Sequence, residues 1–215
     1  IPLAGSKIFV FLPLSSYNDF NGGDQTLFFL CRPVVETDWQ KLREPFSKTG
    51  PIMQFNLKIY AVGGTIDKVY FDRPGQYQIG DPEIGKILEE GNIRFSYQIA
   101  SICHKDSLEM SDEDRGTIRD EILKDDHTHI LITHGTDTMI KTAQVLQSVP
   151  GKTIVLTGSM QPAKFKGSDA TFNVGYAVAA LQVLPPGVYI AMNGQLFDPT
   201  QTRKNIEQNC FEKTG

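Results

Sequence analysis

The alternation of apolar and polar positions divides the chain in two. Through residues 1–52 short apolar runs, Ile8-Phe9-Val10-Phe11 and Leu27-Phe28-Phe29-Leu30, lie among Ser, Asn, Gly and Pro, and no period is sustained. From Met53 onward a regular pattern begins. Leu57 to Val62 is a β-rich run ended by Gly63-Gly64, which predicts a strand stopped by a turn. Phe95, Tyr97 and Ile99 alternate with polar neighbours across Arg94 to Cys103, a second strand. Ser111 to Asp125 opens on Ser-Asp-Glu-Asp, a cap with an acidic first turn, and continues with Ile118, Ile122 and Leu123 as a helix. Ile130-Leu131-Ile132 is a short buried strand. Asp137 to Leu146 places Met139, Ala143 and Leu146 on one helical face. Thr153 to Leu156 reads as a strand. Ser168 to Leu184 puts Phe172, Tyr176, Ala179 and Val183 on one helical face, with small residues that allow close packing, and Val188 to Met192 is a last strand.

Strand followed by helix, repeated with short turns, predicts an α/β fold of three layers: a mostly parallel sheet of flavodoxin/Rossmann-like type with helices on both faces. In such sheets ligands bind beyond the carboxyl ends of the strands. Three of those positions hold Gly63-Gly64-Thr65, His134-Gly135-Thr136-Asp137-Thr138 and Thr157-Gly158-Ser159-Met160-Gln161-Pro162. Glycine permits a tight turn and close approach of a ligand, and the following hydroxyl then sits at the mouth of the sheet. Taken singly, Thr136 and Asp137 read equally well as helix caps. Two Gly-Thr pairs at two strand ends of one sheet are the stronger chemical sign.

Composition narrows the classes. The 215 residues suffice for one domain with a sizeable core, with or without an appendage. Net charge is -4 and no basic cluster occurs, so neither nucleic acid nor a membrane is expected as a partner. Cys31, Cys103 and Cys210 are too far apart for a disulfide framework or metal knuckle, and read as reduced thiols of a cytoplasmic protein. No apolar run approaches the ~20 residues of a membrane-spanning helix. Ile8 to Leu14 is short, contains Pro13 and lacks a cleavage pattern, so it does not read as a secretory signal. Asp126-His127-Thr128-His129 lacks a third ligand at metal spacing, and Gly63-Gly64 lacks the dinucleotide spacing, so no metal and no cofactor are expected. The first methionine is Met53. Residues 1–52 therefore read either as a non-native upstream segment, with the catalytic domain spanning 53–215, or as a true extension that packs on the domain or on a partner.

Six motifs, in order, resemble those of the bacterial-type L-asparaginase family. Val62-Gly63-Gly64-Thr65-Ile66 and Ile132-Thr133-His134-Gly135-Thr136-Asp137-Thr138-Met139 resemble its two signatures. Lys105 to Met110 resembles its Asp-Ser substrate loop, and Thr157 to Pro162 its Gly-Ala/Ser-Met-Arg/Gln-Pro turn. Gly167-Ser168-Asp169 through Phe172-Asn173 resembles a helix start. Met192-Asn193 through Asp198 to Lys204 resembles the segment that brings in a catalytic lysine.

The resemblance implies hydrolysis of the side-chain amide of L-asparagine to aspartate and ammonia. It implies Thr65 as nucleophile, Tyr77 as the tyrosine of the loop closing over the site (Tyr70 being a nearer, less well aligned alternative), Thr136 as second catalytic threonine and Lys204 as base. It further implies Asp137 on the substrate amine, Ser107 on its carboxylate and Ser159 as a backbone donor near the scissile carbonyl. The chemistry fits these residue types. A threonine hydroxyl needs a neighbouring base. A lysine serves as one only where burial or a nearby cation brings it well below its ordinary ~10.4. A zwitterionic head group needs a donor and an acceptor, which Ser107 and Asp137 supply. Whether Thr65, Thr136 or water attacks stays open.

Typical members carry a second α/β domain after the lysine, which in a neighbouring subunit completes the pocket. This sequence ends about ten residues after Lys204, so a short, single-domain form is expected. A small amide substrate and a homo-oligomer, dimer or higher, are the implied partners. The alternatives are the same chemistry on glutamine or another amide, and a non-catalytic domain that binds amino acids or assembles with a partner.

Overall fold

The structure is a computed structural model that describes residues 55–70 and 77–214. The segment 1–52, with Cys31, lies outside the described residues, as do the side chains of Tyr70 and Tyr77. The described elements are β1 (Asn56–Ala61), β2 (Lys68–Tyr70), β3 (Tyr77–Ile79), α1 (Ile84–Glu90), β4 (Ser96–Ser101), α2 (Asp112–Lys124) and β5 (His129–Thr133), followed by α3 (Met139–Leu146), β6 (Thr153–Thr157), α4 (Ala170–Val183), β7 (Gly187–Met192), β8 (Gln195–Phe197), β9 (Thr202–Asn205) and β10 (Cys210–Lys213).

The main sheet runs β4-β1-β5-β6-β7-β8, parallel except for β8, which returns antiparallel against β7. Counted within this sheet the order is 2-1-3-4-5-6, the flavodoxin-like winding. Its order reverses between β1 and β5, and sheets of this kind bind ligands at that point, here beyond Ala61 and Thr133. Strand side chains alternate between two cores. Ile130, Ile132, Ile154, Leu156, Ile190 and Met192 face α2 and α3. Leu131, Val155 and Ala191 face α1 and α4. Both sides of these strands are apolar because both are covered, as expected of a parallel sheet. Two small antiparallel pairs, β2 with β3 and β9 with β10, lie outside the main sheet.

The connections have unequal hands. From β5 to β6 and from β6 to β7 the chain steps the same way across the sheet, yet α3 packs on one face and α4 on the other. The β6–α4–β7 unit therefore winds opposite to its predecessor. Nearly all such crossovers are right-handed, and β1–α1–β4 and β4–α2–β5 share the hand of β5–α3–β6, which makes β6–α4–β7 the left-handed one. Its entry loop thereby passes beneath the end of β1: Ala163 N donates to Ile66 O at 3.1 Å.

Two expectations need correction. The helix anticipated from Asp137 starts at Met139, and its cap, Thr138, makes no side-chain capping bond. On α4 the face carrying Phe172, Tyr176, Ala179 and Val183 is the outer one, with Phe172 62% and Val183 78% exposed. The inner face is Ala170, Asn173, Val174, Ala177, Val178 and Leu181. Lys204 lies in the β9–β10 hairpin, outside the main sheet. The Ser111 cap of α2 is as expected, and closes a capping box with Asp114.

Candidate active site

Two strand-end turns meet at the switch point. Gly63 and Gly64 take φ of 95° and 98°, a region that glycine enters without strain. A β-carbon on Gly64 would lie 2.3 Å from Gly135 Cα, so the two turns touch main chain to main chain. Thr65 leaves this contact as the first residue of a 3-10 turn, Thr65–Asp67. Thr136 leaves it on the other side and is buried.

Thr136 and Asp137 are joined by Lys204. The Lys204 Nζ donates to Thr136 Oγ1 at 2.8 Å and to Asp137 Oδ1 at 2.5 Å. The lysine side chain is 14% exposed and that of Asp137 43%. The capping alternative for Thr136 and Asp137 is thereby removed, since their side-chain oxygens serve the lysine rather than the helix. Residues 136 and 204 are brought together by the return of the chain through β8 and the Pro199–Gln201 turn. There Gln144 Nε2 on α3 donates to Pro199 O at 3.0 Å.

Ser107 approaches from β4. The hydroxyl of Thr138 donates to Ser107 O at 2.7 Å, and a β-carbon on Gly135 would stand 2.6 Å from Ser107 Oγ. That Oγ is buried and finds no partner among the described residues. A buried hydroxyl without a partner costs about 1–3 kcal/mol, and a bound acceptor would recover it. The loop is tied on both sides: Lys105 to Asp114 at 2.8 Å, and Asp106 to Lys68 at 2.7 Å. The ammonium of Lys105 and two bonds from Ser111 hold the Asp114 carboxyl down at about 2.

Ser159 is buried, and its hydroxyl donates to Gln161 O at 2.5 Å, so it shapes its own turn. The turn is gripped from α4. Asp169 accepts from Met160 N and Gln161 N, and Asn173 Nδ2 donates to Gly158 O and to Asp169. Tyr77 opens β3 opposite Tyr70.

Four supporting groups had no assigned part in the sequence reading. Asp169 and Asn173 lay inside a quoted motif, where their spacing of four on a helix was the signal. His134 lay in the second signature. Its Nδ1 donates to Gly135 O at 2.7 Å, and its Nε2 accepts from Thr142 at 2.8 Å. Burial pushes this imidazole down to about 4, so it is neutral with its proton on Nδ1. Asp67, two residues after Thr65, is buried, and burial raises its carboxyl to about 6. His127, in the Asp126–His129 run, donates through Nδ1 to Asp125 at 2.6 Å.

Comparison with known proteins gives the family of the chain. A family model described as "Asparaginase, N-terminal" matches residues 56–213. An L-asparaginase of Thermococcus kodakarensis is 34% identical over 118 residues, 52% of this chain and 36% of that protein. A glutaminase-asparaginase of Acinetobacter glutaminasificans is 34% identical over 139 residues, 60% of this chain and 40% of that protein. Among solved structures, the thermostable L-asparaginase from Thermococcus kodakarensis superposes with a TM-score of 0.65 at 29% identity, over 74% of this chain and 51% of that one. The chain thus spans about half the length or less of these relatives.

Proposed function

For a chain that belongs to the asparaginase family and carries its N-terminal domain, we propose hydrolysis of the side-chain amide of L-asparagine to aspartate and ammonia. The observation that carries this reading is the Thr136–Lys204–Asp137 cluster set against the Gly64-Thr65 turn. A domain that only bound amino acids would have no use for a lysine bridging a buried threonine and an acid.

In this reading the Thr65 hydroxyl attacks the amide carbon. The proton it loses passes through Thr136 and Lys204 to the departing ammonia. Water then cleaves the resulting ester, releasing aspartate and restoring the hydroxyl. Ser107 Oγ donates to the substrate α-carboxylate. Asp137 keeps Oδ2 for the α-ammonium while Oδ1 serves Lys204. The main chain near Ser159 stabilises the oxyanion, and Tyr77 closes over the site. Glutamine is the second substrate to test, because glutaminase-asparaginases are among the relatives.

The Asp137 side chain is 43% exposed. A second copy covering it, in a dimer or higher assembly, belongs to the same proposal. So does a cytoplasmic location, supported by Cys103 and Cys210 as free thiols. None of the described helices is long and apolar enough to cross a membrane. The family match starting at residue 56 supports treating 1–52 as distinct from the catalytic domain.

The test is ammonia release by the full chain from asparagine and glutamine, with Thr65→Ala and Lys204→Met as controls. Release that both substitutions abolish is expected. Equal activity in Thr65→Ala would remove the nucleophile. No release from any amide by folded protein would leave a binding domain.

A further inference from the structure

The residue immediately beyond the Thr65-Ile66 pair is an acid with no part in the chemistry so far described, and it is 1% exposed. Asp67 makes three bonds of different kinds. Its N–H closes the 3-10 turn onto Gly64 O at 3.1 Å. Its carbonyl accepts from Gly80 N at 2.8 Å, at the residue that follows β3. Its Oδ1 accepts from Glu83 N at 2.9 Å, at the cap of α1. One residue therefore grips both ends of the Gly80–Glu83 connection and the turn of Thr65 at once.

The hairpin is seated on that turn. Ile79 Cδ1 would stand 3.3 Å from a β-carbon on Gly63, and Val69 Cγ2 3.1 Å from one on Gly80. The neighbouring Lys68 continues the anchorage by its ion pair to Asp106, beside Ser107. Other ionisable groups near Asp67 are Glu83, itself paired with Lys164 at 3.0 Å, and His104. No ammonium bonds the Asp67 carboxyl among the described residues, and its side-chain hydrogen bond there is to the main-chain N–H of Glu83. Burying a carboxyl with one main-chain partner is costly, and such local costs are characteristic of functional or strained sites.

We propose that Asp67 is a positioning residue that fixes the β2–β3 hairpin, and with it the strand beginning at Tyr77, to the turn that presents Thr65. The consequence for turnover rests on the amidohydrolase reading. The anchorage itself does not. Asp67 touches no substrate and acts through Thr65 and Tyr77.

Two pairs of full-chain variants test this. Asp67→Asn keeps a side-chain oxygen acceptor and Asp67→Ala removes it. Glu83→Ala keeps the backbone donor, while Glu83→Pro removes it at a residue whose φ of -75° suits proline. Hydrogen exchange reads the anchorage without any activity. Exchange across residues 77–80 is expected to rise at least about tenfold in Asp67→Ala and Glu83→Pro, and to stay within about threefold of the parent in Asp67→Asn and Glu83→Ala. Asparagine turnover reads the consequence. In the first two variants kcat is expected to fall by roughly tenfold to a hundredfold with a smaller change in KM, since small misplacements of reacting groups cost rate. The conservative partners restore it. If Asp67→Ala fails to fold, the Glu83 pair decides alone. Unchanged exchange at 77–80 in Glu83→Pro overturns the anchorage. Faster exchange with unchanged kcat overturns the link to turnover. A parent chain without any ammonia release overturns the amidohydrolase reading while the exchange result still stands.

Discussion

Gly64 and Gly135 pack main chain against main chain, and through this contact the turns that lead into Thr65 and Thr136 meet at the reversal of the sheet order. The packing leaves no room for a side chain. In Gly64→Ala the new β-carbon would meet Gly135 Cα at 2.3 Å while sitting at φ 98°. We expect a loss of about 2–4 kcal/mol in urea unfolding, together with loss of activity. Gly116→Ala is the contrasting case. It lies inside α2 with nothing within 4 Å of the added carbon, and a gain of about 0.5–1 kcal/mol is expected.

Lys204 and Thr136 should behave as one unit. Lys204→Met and Thr136→Val are each expected to lower kcat by about 10²–10⁴-fold, the range of a positioned acid–base group. Steady-state kinetics on the double variant should show little further loss, because either change already breaks the 2.8 Å bond. Multiplying losses would mean that the two residues act separately.

The neutral state of His134 can be observed directly. A carbonyl only accepts, so the 2.7 Å contact with Gly135 O requires the proton on Nδ1. Ring nitrogen shifts in NMR are expected to report an Nδ1–H imidazole, uncharged at pH 5. Its folded value of about 4 lies below the ordinary 6.5. This group thus contributes stability that is present above 6.5 and is lost as pH falls through about 4.

Asp67 acts with the opposite sign. Its folded value of about 6 lies above the ordinary 3.8. Its contribution is therefore fully present below 3.8 and lost as pH rises through about 6. The shift corresponds to at most about 3 kcal/mol. Relative to the parent chain, Asp67→Asn should be more stable at pH 7 than at pH 4, measured by urea unfolding at both. Between pH 4 and 6 the two groups oppose each other, so the variant is needed to separate them. A stability difference that does not change with pH would contradict the burial of an ionisable carboxyl here.

Much of the architecture was legible in local pattern. The strands at Leu57, Ile130, Thr153 and Val188 were marked by β-rich runs, and α2 by the Ser111 cap, each within two residues of where it lies. The Gly-Thr pairs announced two of the crevice walls because glycine at a strand end has a local cause. Asp67 was not picked out, because an acid after Thr65-Ile66 looks like any solvated turn residue until Glu83 N is seen to reach it.

The sequence by itself determined which segments are strands and helices, and which turns carry hydroxyls, because these follow from periods of two and 3.6 residues and from glycine's backbone freedom. It pointed to the wrong side of α4 as the inward one. That helix carries no charge, and both Phe172-Tyr176-Val183 and Val174-Ala177-Leu181 are apolar stripes. Only packing against β6 and β7 chose the narrower stripe, whose small side chains fit close to the sheet. The left-handed passage of the chain into α4 and the arrival of Lys204 at Thr136, 68 residues away, were likewise tertiary decisions. Both depend on how complete layers stack, and no window of local sequence contains that information.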